Sequence, residues 1–188
     1  MNVYVRNTGN GYQVVGLEHA QILAGDWRNF GAKQRMYDNG GTHHFAILVE
    51  EENVEKLTNV GFNVKHYQPK NRPEDPGYSY LDINLGWQLR DPNVSVVSNG
   101  VATKQTEETI GDLDMLNNID YADIEVSPYH WTNNGRSGVK PWVTEMYVYL
   151  QEPSPIYRNY QNRIQTSMEP VAQPEIPFVP SEEDDIPF

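Results

Sequence analysis

Side chains that alternate between apolar and polar with a period of two most strongly limit the folds open to this chain. The alternation is clearest over residues 78–87. It is the period of a β-strand that buries one face and leaves the other accessible. The buried face is predicted to be Leu81, Ile83, Leu85 and Trp87, and the opposite face Tyr78, Tyr80, Asp82 and Asn84. The first set therefore belongs to a hydrophobic core.

Shorter apolar segments recur along the chain and are separated by turn-forming residues. Strands are predicted over residues 12–16, 21–30, 43–49, 62–67, 93–98, 121–131 and 139–150. The rest of the first twenty residues is predicted to be irregular. One helix is predicted over residues 50–60, because acidic residues come first, apolar residues follow three apart, and Gly61 comes next. Asp112 and Asp114 are expected in a solvated turn.

The last two predicted strands form a hairpin, because residues 132–138 between them are rich in turn formers. The inward side chains of its first arm are predicted to be Ala122, Ile124 and Val126. Tyr129 and Trp131 then point outwards. Short strands, one helix and long loops favour a mainly β fold. We predict an elaborated barrel of the five-stranded oligonucleotide-binding (OB) type, with one or two short helices.

The composition changes after residue 150, where prolines fall among polar residues. Such a segment cannot build a core and favours an extended, mobile chain. We predict one domain over residues 1–150 and a flexible, Pro-rich, acidic tail over residues 151–188, disordered from about Ser167. The tail ends in four carboxylates and an apolar tip, a segment that a partner protein could bind. The predicted partner-binding residues are Asp184, Asp185, Ile186, Pro187 and Phe188. A charge run that only keeps the chain soluble remains the alternative.

The composition and the net charge of the chain exclude several classes of protein. The chain has no cysteine, so disulfides and thiolate metal sites are excluded, in agreement with a reducing cytoplasm. No apolar run approaches the roughly 20 residues of a membrane span, and the first residues do not resemble an export signal. We therefore expect a cytoplasmic protein with no membrane partner. The net charge of −12 argues against a nucleic-acid binder unless the bases cluster on one face.

Aromatic and basic residues are interleaved in the predicted strands and loops. Aromatic faces on which bases stack, beside positive charge, hold single strands without reading their sequence. The candidate residues for this chemistry are Lys33, Arg35, Tyr37, Lys65, Tyr67, Tyr80, Tyr129, Trp131, Arg136 and Lys140. Other large aromatic side chains are expected in the core: Trp27, Phe30, Phe45 and Trp87. The outward aromatics together point to a binding face.

Catalysis is the weaker alternative. The histidines and aspartates that could hold a metal are His43, His44, His66, His130, Asp75, Asp82 and Asp123. Their spacing matches no zinc motif, and no phosphate-binding loop or nucleophile elbow occurs. We expect no enzyme activity, no metal site and no cofactor. A protein-interaction or virion-structural β-domain that does not bind nucleic acid stays open as the second hypothesis.

Several blocks of the sequence carry a resemblance to a known family. They are Arg28-Asn29-Phe30-Gly31, Thr42-His43-His44-Phe45, Gly61-Phe62-Asn63-Val64-Lys65, Ile119-Asp120-Tyr121-Ala122-Asp123-Ile124-Glu125-Val126-Ser127-Pro128-Tyr129-His130-Trp131 and Asn134-Gly135-Arg136-Ser137-Gly138-Val139-Lys140-Pro141-Trp142. Together they resemble the tailed-bacteriophage single-stranded DNA-binding proteins, whose members resemble an elaborated OB barrel. The resemblance covers about residues 27–150. It implies a protein that coats and protects single-stranded DNA (ssDNA) during phage replication and recombination, in the host cytoplasm.

The acidic ending resembles the tails of bacterial single-stranded DNA-binding proteins. There a run of aspartates closes with Ile-Pro-Phe and recruits other DNA-processing proteins. The resemblance implies that residues 182–188 bind replication or recombination proteins, and the four carboxylates are expected to compete with DNA for the basic face. The sequence leaves a homo-oligomer open.

Overall fold

The computed structural model describes residues 1–9, 13–32, 42–72, 74–85 and 92–152. The chain divides into two units, Met1–Glu152 and Pro153–Phe188, and every described residue belongs to the first. Ten strands are described: β1 Asn2–Asn7, β2 Gln13–Ala20, β3 Arg28–Asn29, β4 His44–Val49, β5 Lys65–Tyr67, β6 Tyr78–Leu85, β7 Val94–Ser98, β8 Val101–Lys104, β9 Ile119–Asn133 and β10 Arg136–Leu150. The helices are α1, Glu51–Asn59, and two 3-10 turns, Gly25–Trp27 and Ile110–Met115.

Five of the strands close into a ring. The sheet runs in the order β1-β2-β9-β10-β6-β4-β3, and β6 and β10 lie parallel. Just beyond β2, Ile22 bridges Ile47 of β4, and the amide of Leu23 donates to the carbonyl of Ala46 at 2.9 Å. The ring therefore consists of β2, β9, β10, β6 and β4. A mainly β, OB-like fold was predicted, and this arrangement confirms it.

The β9–β10 hairpin is longer than predicted. Its turn contains only Asn134 and Gly135, whose φ angles are 50° and 73°. Two positive φ angles are what a tight hairpin turn demands, and Asn-Gly supplies them with little strain. Each arm reaches 15 residues, so the turn formers predicted as a loop belong mostly to the strands. The extension carries Tyr129 and Trp131 past the closed part of the barrel.

The core lies inside the ring and follows the predicted alternation. Phe30 and Phe45 stack in it with ring centroids 5.0 Å apart. Its large fully buried side chains are Phe30, Phe45, Phe62, Leu17, Ile47, Leu57, Leu81, Ile83, Ile110, Leu113, Met146 and Val15. The inward positions predicted for β6 and β9, Leu81, Ile83, Leu85, Ala122, Ile124 and Val126, are all buried. Trp87 lies outside the described residues.

Helix α1 fixes the segment that leads into β5. Two acids lie in its first turn, and Gly61 just beyond it has a φ of +98°, as predicted for a left-handed cap. The amide of Phe62 donates to the carbonyl of Leu57 at 3.1 Å, and Phe62 also bridges Val139 of β10. This bridge ties the entry of β5 to the β9–β10 hairpin.

The structure corrects several predictions near the N-terminus and in the loops. Residues 1–20 were predicted to be irregular around one short strand, but all six residues of β1 pair with β2, from Asn2 opposite Glu18 to Asn7 opposite Gln13. Residues 21–30 do not form a strand throughout, because a 3-10 turn precedes the two-residue β3. Strand β8 was missed, since its four residues are all exposed and give no apolar period.

The prediction that Asp114 lies in a solvated turn is wrong. Its carboxylate accepts hydrogen bonds from the amides of Phe30 at 2.7 Å and Gly31 at 3.2 Å. Nearby, the buried guanidinium of Arg28 donates to the carbonyls of Leu23 at 2.8 Å and Leu116 at 2.6 Å. Burial lowers the pKa of Arg28, and the negative charge of Asp114 opposes that shift. These contacts fix the segment that carries Trp27.

Candidate nucleic-acid interface

One edge of β6 is shared by two strands, and a cleft opens between them. β5 pairs with Tyr78–Tyr80, and β10 pairs with Asn84 and Leu85, both on the edge opposite β4. Between these pairings, no strand of the described part of the chain covers residues 81–83 on that edge. The cleft formed there has a volume of about 400 Å³. Lys65, Asp82, Trp131 and Lys140 all line it.

The strand registers place the predicted binding residues on one face of the sheet. Side chains directly opposite each other on paired strands share a face. Lys65 pairs with Tyr80, Asn84 with Trp142, and Lys140 with Tyr129. With the period of two along each strand, one outer face holds all seven predicted residues that the structure describes: Lys65, Tyr67, Tyr80, Tyr129, Trp131, Arg136 and Lys140. We call this surface the outer face.

Four aromatic rings form a cluster at the β5 end of the outer face. The ring of Trp27 lies edge-on to Tyr80 and Tyr67, with centroids 4.6 Å and 5.7 Å away. Tyr78 completes the cluster, 5.2 Å from Tyr67. Burial, followed by the neighbouring Tyr67, raises the pKa of Tyr78 above the usual 10.0, so its phenol is neutral at physiological pH. Trp27 was predicted to lie in the core, and that prediction is wrong, because it is only half-buried.

Two more aromatic contacts lie on the hairpin. Tyr129 of β9 is 44% exposed and stacks on Trp142 of β10, with centroids 4.1 Å apart and planes 16° from parallel. Trp131 lies flat against Gly138, its partner across the hairpin. A Cβ built on Gly138 would come within 2.9 Å of the Trp131 ring. The glycine therefore makes room for this indole.

The charges of the outer face are unevenly distributed. Lys65 Nζ is 3.3 Å from Asp82 Oδ2 and 5.7 Å from the centroid of the Tyr80 ring. Lys140 and Arg136 are exposed on the hairpin. Acids gather at the other end of β9 and β10, around a second, smaller cleft lined by Glu18, Asp123, Glu125 and Glu145. The basic and acidic ends of the hairpin are thus separated along the strands.

Comparison with known proteins identifies the family. The family model of the phage ssDNA-binding domain matches residues 10–182. The chain belongs to the phage ssDNA-binding domain family. Its function is therefore to bind single-stranded DNA, in agreement with the resemblance carried by the sequence blocks. No curated protein matches the chain.

Three solved structures that are similar to this chain are of one phage protein. The single-stranded DNA-binding protein from bacteriophage Enc34 is 7% identical, with 81% of this chain and 92% of that chain covered and a TM-score of 0.48. The C-terminal truncation of that protein is also 7% identical, with 81% of this chain and 97% of that chain covered and a TM-score of 0.48. The complex of that protein with ssDNA is 7% identical, with the same shares of the two chains covered, 81% and 97%, and a TM-score of 0.46.

Other sequence predictions lie elsewhere or outside the description. Lys33, Arg35 and Tyr37 fall among residues that the structure does not describe, and so does the predicted tail set Asp184, Asp185, Ile186, Pro187 and Phe188. Phe30 and Phe45 lie in the core, as predicted. Over the described ranges, no group of three or more His, Asp or Glu side chains could hold a metal ion. The helices of those ranges include none that could cross a membrane.

The sequence-based prediction of the binding face left out four residues of the outer face: Trp27, Asp82, Asn84 and Trp142. Trp142 could have been found, since it lies two positions after Lys140 on a strand of period two. Asp82 and Asn84 were placed on the correct face of β6 but were given no role in DNA binding, Asp82 being considered only as a metal ligand. Trp27 had no such signal, because it reaches Tyr80 from a 3-10 turn through tertiary packing.

Proposed function

We propose that the protein binds ssDNA along the outer face, from the aromatic cluster on β5 and β6 to the tip of the β9–β10 hairpin, without strong sequence preference. The observation that carries the proposal is the sharing of one face by all seven predicted residues that the structure describes. Aromatic side chains from three different strands, Tyr67, Tyr80, Tyr129 and Trp131, would otherwise lie exposed or half-buried on one face without a reason.

The aromatic and the basic side chains of the outer face have different roles in binding. Accessible rings such as the exposed Tyr129 and the half-buried Trp131 stack on bases, at about 1–3 kcal/mol per base. Arg136 and Lys140 neutralise phosphates between the stacked bases, and Lys65 adds a positive charge at the β5 end of the outer face. Because every base has a flat face, stacking does not depend on sequence. A duplex hides those faces, so single strands bind more tightly.

This chemistry fits a protein that coats and protects single strands during phage replication and recombination. The outer face needs only to hold DNA, and the proposal assigns it no catalytic step and no cofactor. The place of action is the cytoplasm of the host cell, where phage DNA is copied. Homo-oligomers along one strand are compatible with this role.

The tail is assigned two roles in this proposal. A random coil of about 20 residues reaches roughly 25 Å, and we propose that the tail behaves in this way and brings its carboxylates over the basic end of the outer face. The carboxylates then compete with DNA for Lys65, Arg136 and Lys140. The aromatic tip at Phe188, with its terminal carboxylate, binds replication or recombination proteins.

Salt dependence separates ssDNA binding from the alternative of a protein-interaction or virion-structural domain. If Arg136 and Lys140 each neutralise one phosphate, the slope of log K against log salt is about −1.4. An apolar protein interface would show almost no slope. Fluorescence polarisation with a labelled oligo-dT strand and with a matched duplex measures both the slope and the preference. Equal affinity for the duplex, or no binding of the single strand at low salt, would refute the proposal.

Deletion of residues 182–188 tests the competition by the tail. We expect tighter ssDNA binding at low salt, and a gain that shrinks as the Debye length falls below about 10 Å. Deletion of Phe188 alone is the matched control, because it keeps every side-chain carboxylate of the tail. It should leave ssDNA affinity unchanged and abolish capture of replication or recombination proteins. An unchanged affinity after the long deletion would contradict the competition.

A further inference from the structure

The cleft on the outer face is lined by both apolar and charged residues. Leu81 and Pro141, both buried, contribute to its lining where the edge of β6 is left uncovered between β5 and β10. Lys65, Asp82 and Lys140 line it as well. A cleft with such a mixed lining suits a nucleobase, whose faces are apolar and whose edge carries hydrogen-bonding groups. The volume of about 400 Å³ is in the range of small-ligand sites.

Asp82 decides which part of a nucleotide can enter the cleft. Its carboxylate repels a phosphate, whereas it accepts hydrogen bonds from ring N–H and amino groups. Lys65 Nζ, 3.3 Å from Asp82 Oδ2, places a donor beside that acceptor. The two side chains are 43% and 45% exposed, so a ligand can reach both. The edge of a base, and not the backbone of the strand, therefore faces this pair.

Guanine matches the pair better than the other bases. Its Watson–Crick edge presents O6 as an acceptor, then N1–H and the 2-amino group as adjacent donors. Lys65 can donate to O6 while the two oxygens of Asp82 accept from N1–H and the amino group. Thymine turns a second carbonyl towards the carboxylate, and adenine and cytosine each offer only one donor group. A bidentate, charge-assisted contact is the strongest form of base reading.

We propose that the cleft between β5 and β10 is a base-reading subsite that prefers a single guanine, with Lys65 and Asp82 reading its edge. The inference rests on the proposed ssDNA binding and adds a preference at one position of a strand that is otherwise held without regard to sequence. Trp131, which lines the same cleft, is placed to contact the base. Lys140, which also lines the cleft and is exposed, is placed for the adjoining phosphate.

The test compares labelled oligo-dT strands that carry one central dG, deoxyinosine, dC or dA with unsubstituted oligo-dT. We expect the dG strand to bind at least about fivefold more tightly than oligo-dT, the low end for a bidentate contact. Deoxyinosine lacks the 2-amino group and should lose most of that gain. In Asp82→Asn the ratio of dG to dT affinities should fall to near one. Asp112→Asn, which removes an exposed acid outside the cleft, should keep the full ratio.

The outcomes separate this inference from the proposed function. Wild-type protein that binds oligo-dT but shows no dG preference overturns the subsite alone. An Asp82→Asn variant that binds every strand more tightly and keeps the dG preference also overturns it, because Asp82 would then act only as a repelling charge. Failure to bind any single strand would refute the proposed function itself, and the subsite with it.

Discussion

The position of the Trp131 ring depends on the glycine opposite it on the hairpin, Gly138. A single methyl group added there would displace the ring. A Cβ on Gly138 would lie 2.9 Å from Cζ2 and Nε1 of Trp131 and 3.0 Å from Cε2. Carbon atoms in contact prefer about 3.5–4.0 Å, so the ring must move by roughly 0.6 Å or more. The indole is rigid, and it can yield only by turning away from β10. Gly138→Ala therefore displaces the ring without deleting it.

The expected loss follows from the value of one stacked base. Deletion of the ring in Trp131→Ala should weaken ssDNA binding by about 1–3 kcal/mol. Displacement in Gly138→Ala should cost less, about 1 kcal/mol, or a fivefold rise in Kd. The backbone at Gly138 does not have a positive φ, so alanine is not strained there. The free energy of unfolding should change little.

A matched control exists elsewhere in the same sheet. Tyr4 covers Gly16 as Trp131 covers Gly138, and a Cβ on Gly16 would overlap the Tyr4 ring more severely. Gly16 pairs with Glu125, at the acidic end of β9. Gly16→Ala should lower stability more than Gly138→Ala but leave the ssDNA affinity unchanged. Polarisation titrations and urea unfolding of both variants measure this. Unchanged affinity in Gly138→Ala and Trp131→Ala would refute the placement of Trp131 in the interface.

Two further predictions concern the support of the outer face. Ile83→Ala removes a fully buried side chain beneath β6 and should lower the free energy of unfolding by about 2–5 kcal/mol, as measured by urea denaturation; a loss well below that range would show that the site can collapse. Asp114→Asn weakens the acceptor for the amides of Phe30 and Gly31 and removes the negative charge near Arg28. It should therefore lower the free energy of unfolding by about 1–3 kcal/mol. The control Asp112→Asn should change that free energy by no more than about 0.5 kcal/mol. Equal stability of the two Asp→Asn variants would contradict the supporting role of Asp114.

Most of the correct predictions about the fold came from the alternation of apolar and polar side chains with a period of two. It assigned the buried and outward positions of β6 and β9 because both strands have one face on the core. The outward orientation of Tyr129 and Trp131 followed from counting positions beyond Val126. A wholly exposed strand such as β8 gives no such signal, since its pairing depends on the backbone and on a positive-φ Asn99-Gly100 turn.

The parts that could not be predicted depend on contacts between distant segments. Nothing local to Trp27 distinguishes a core tryptophan from one packed on three tyrosines. Asp114 is 84 residues away from the Phe30 amide that it binds. The cleft likewise arises only because β5 and β10 share one edge of β6, a matter of topology and not of composition. The strand registers of the structure show how these distant segments are paired.

The net charge of −12 looks at first incompatible with binding a polyanion, and the hairpin shows why it is not. Glu125 lies four residues along β9 from Tyr129, which is about 13 Å in a strand. The Debye length at physiological salt is about 8 Å, so the acidic end is largely screened from a phosphate bound at Lys140. In the proposed binding mode, affinity depends on the local field at the tip of the hairpin, and the total charge has little influence. At low salt the same acids act over the whole hairpin, repel a strand from one end, and so favour its approach at the end that carries Trp131 and Lys140.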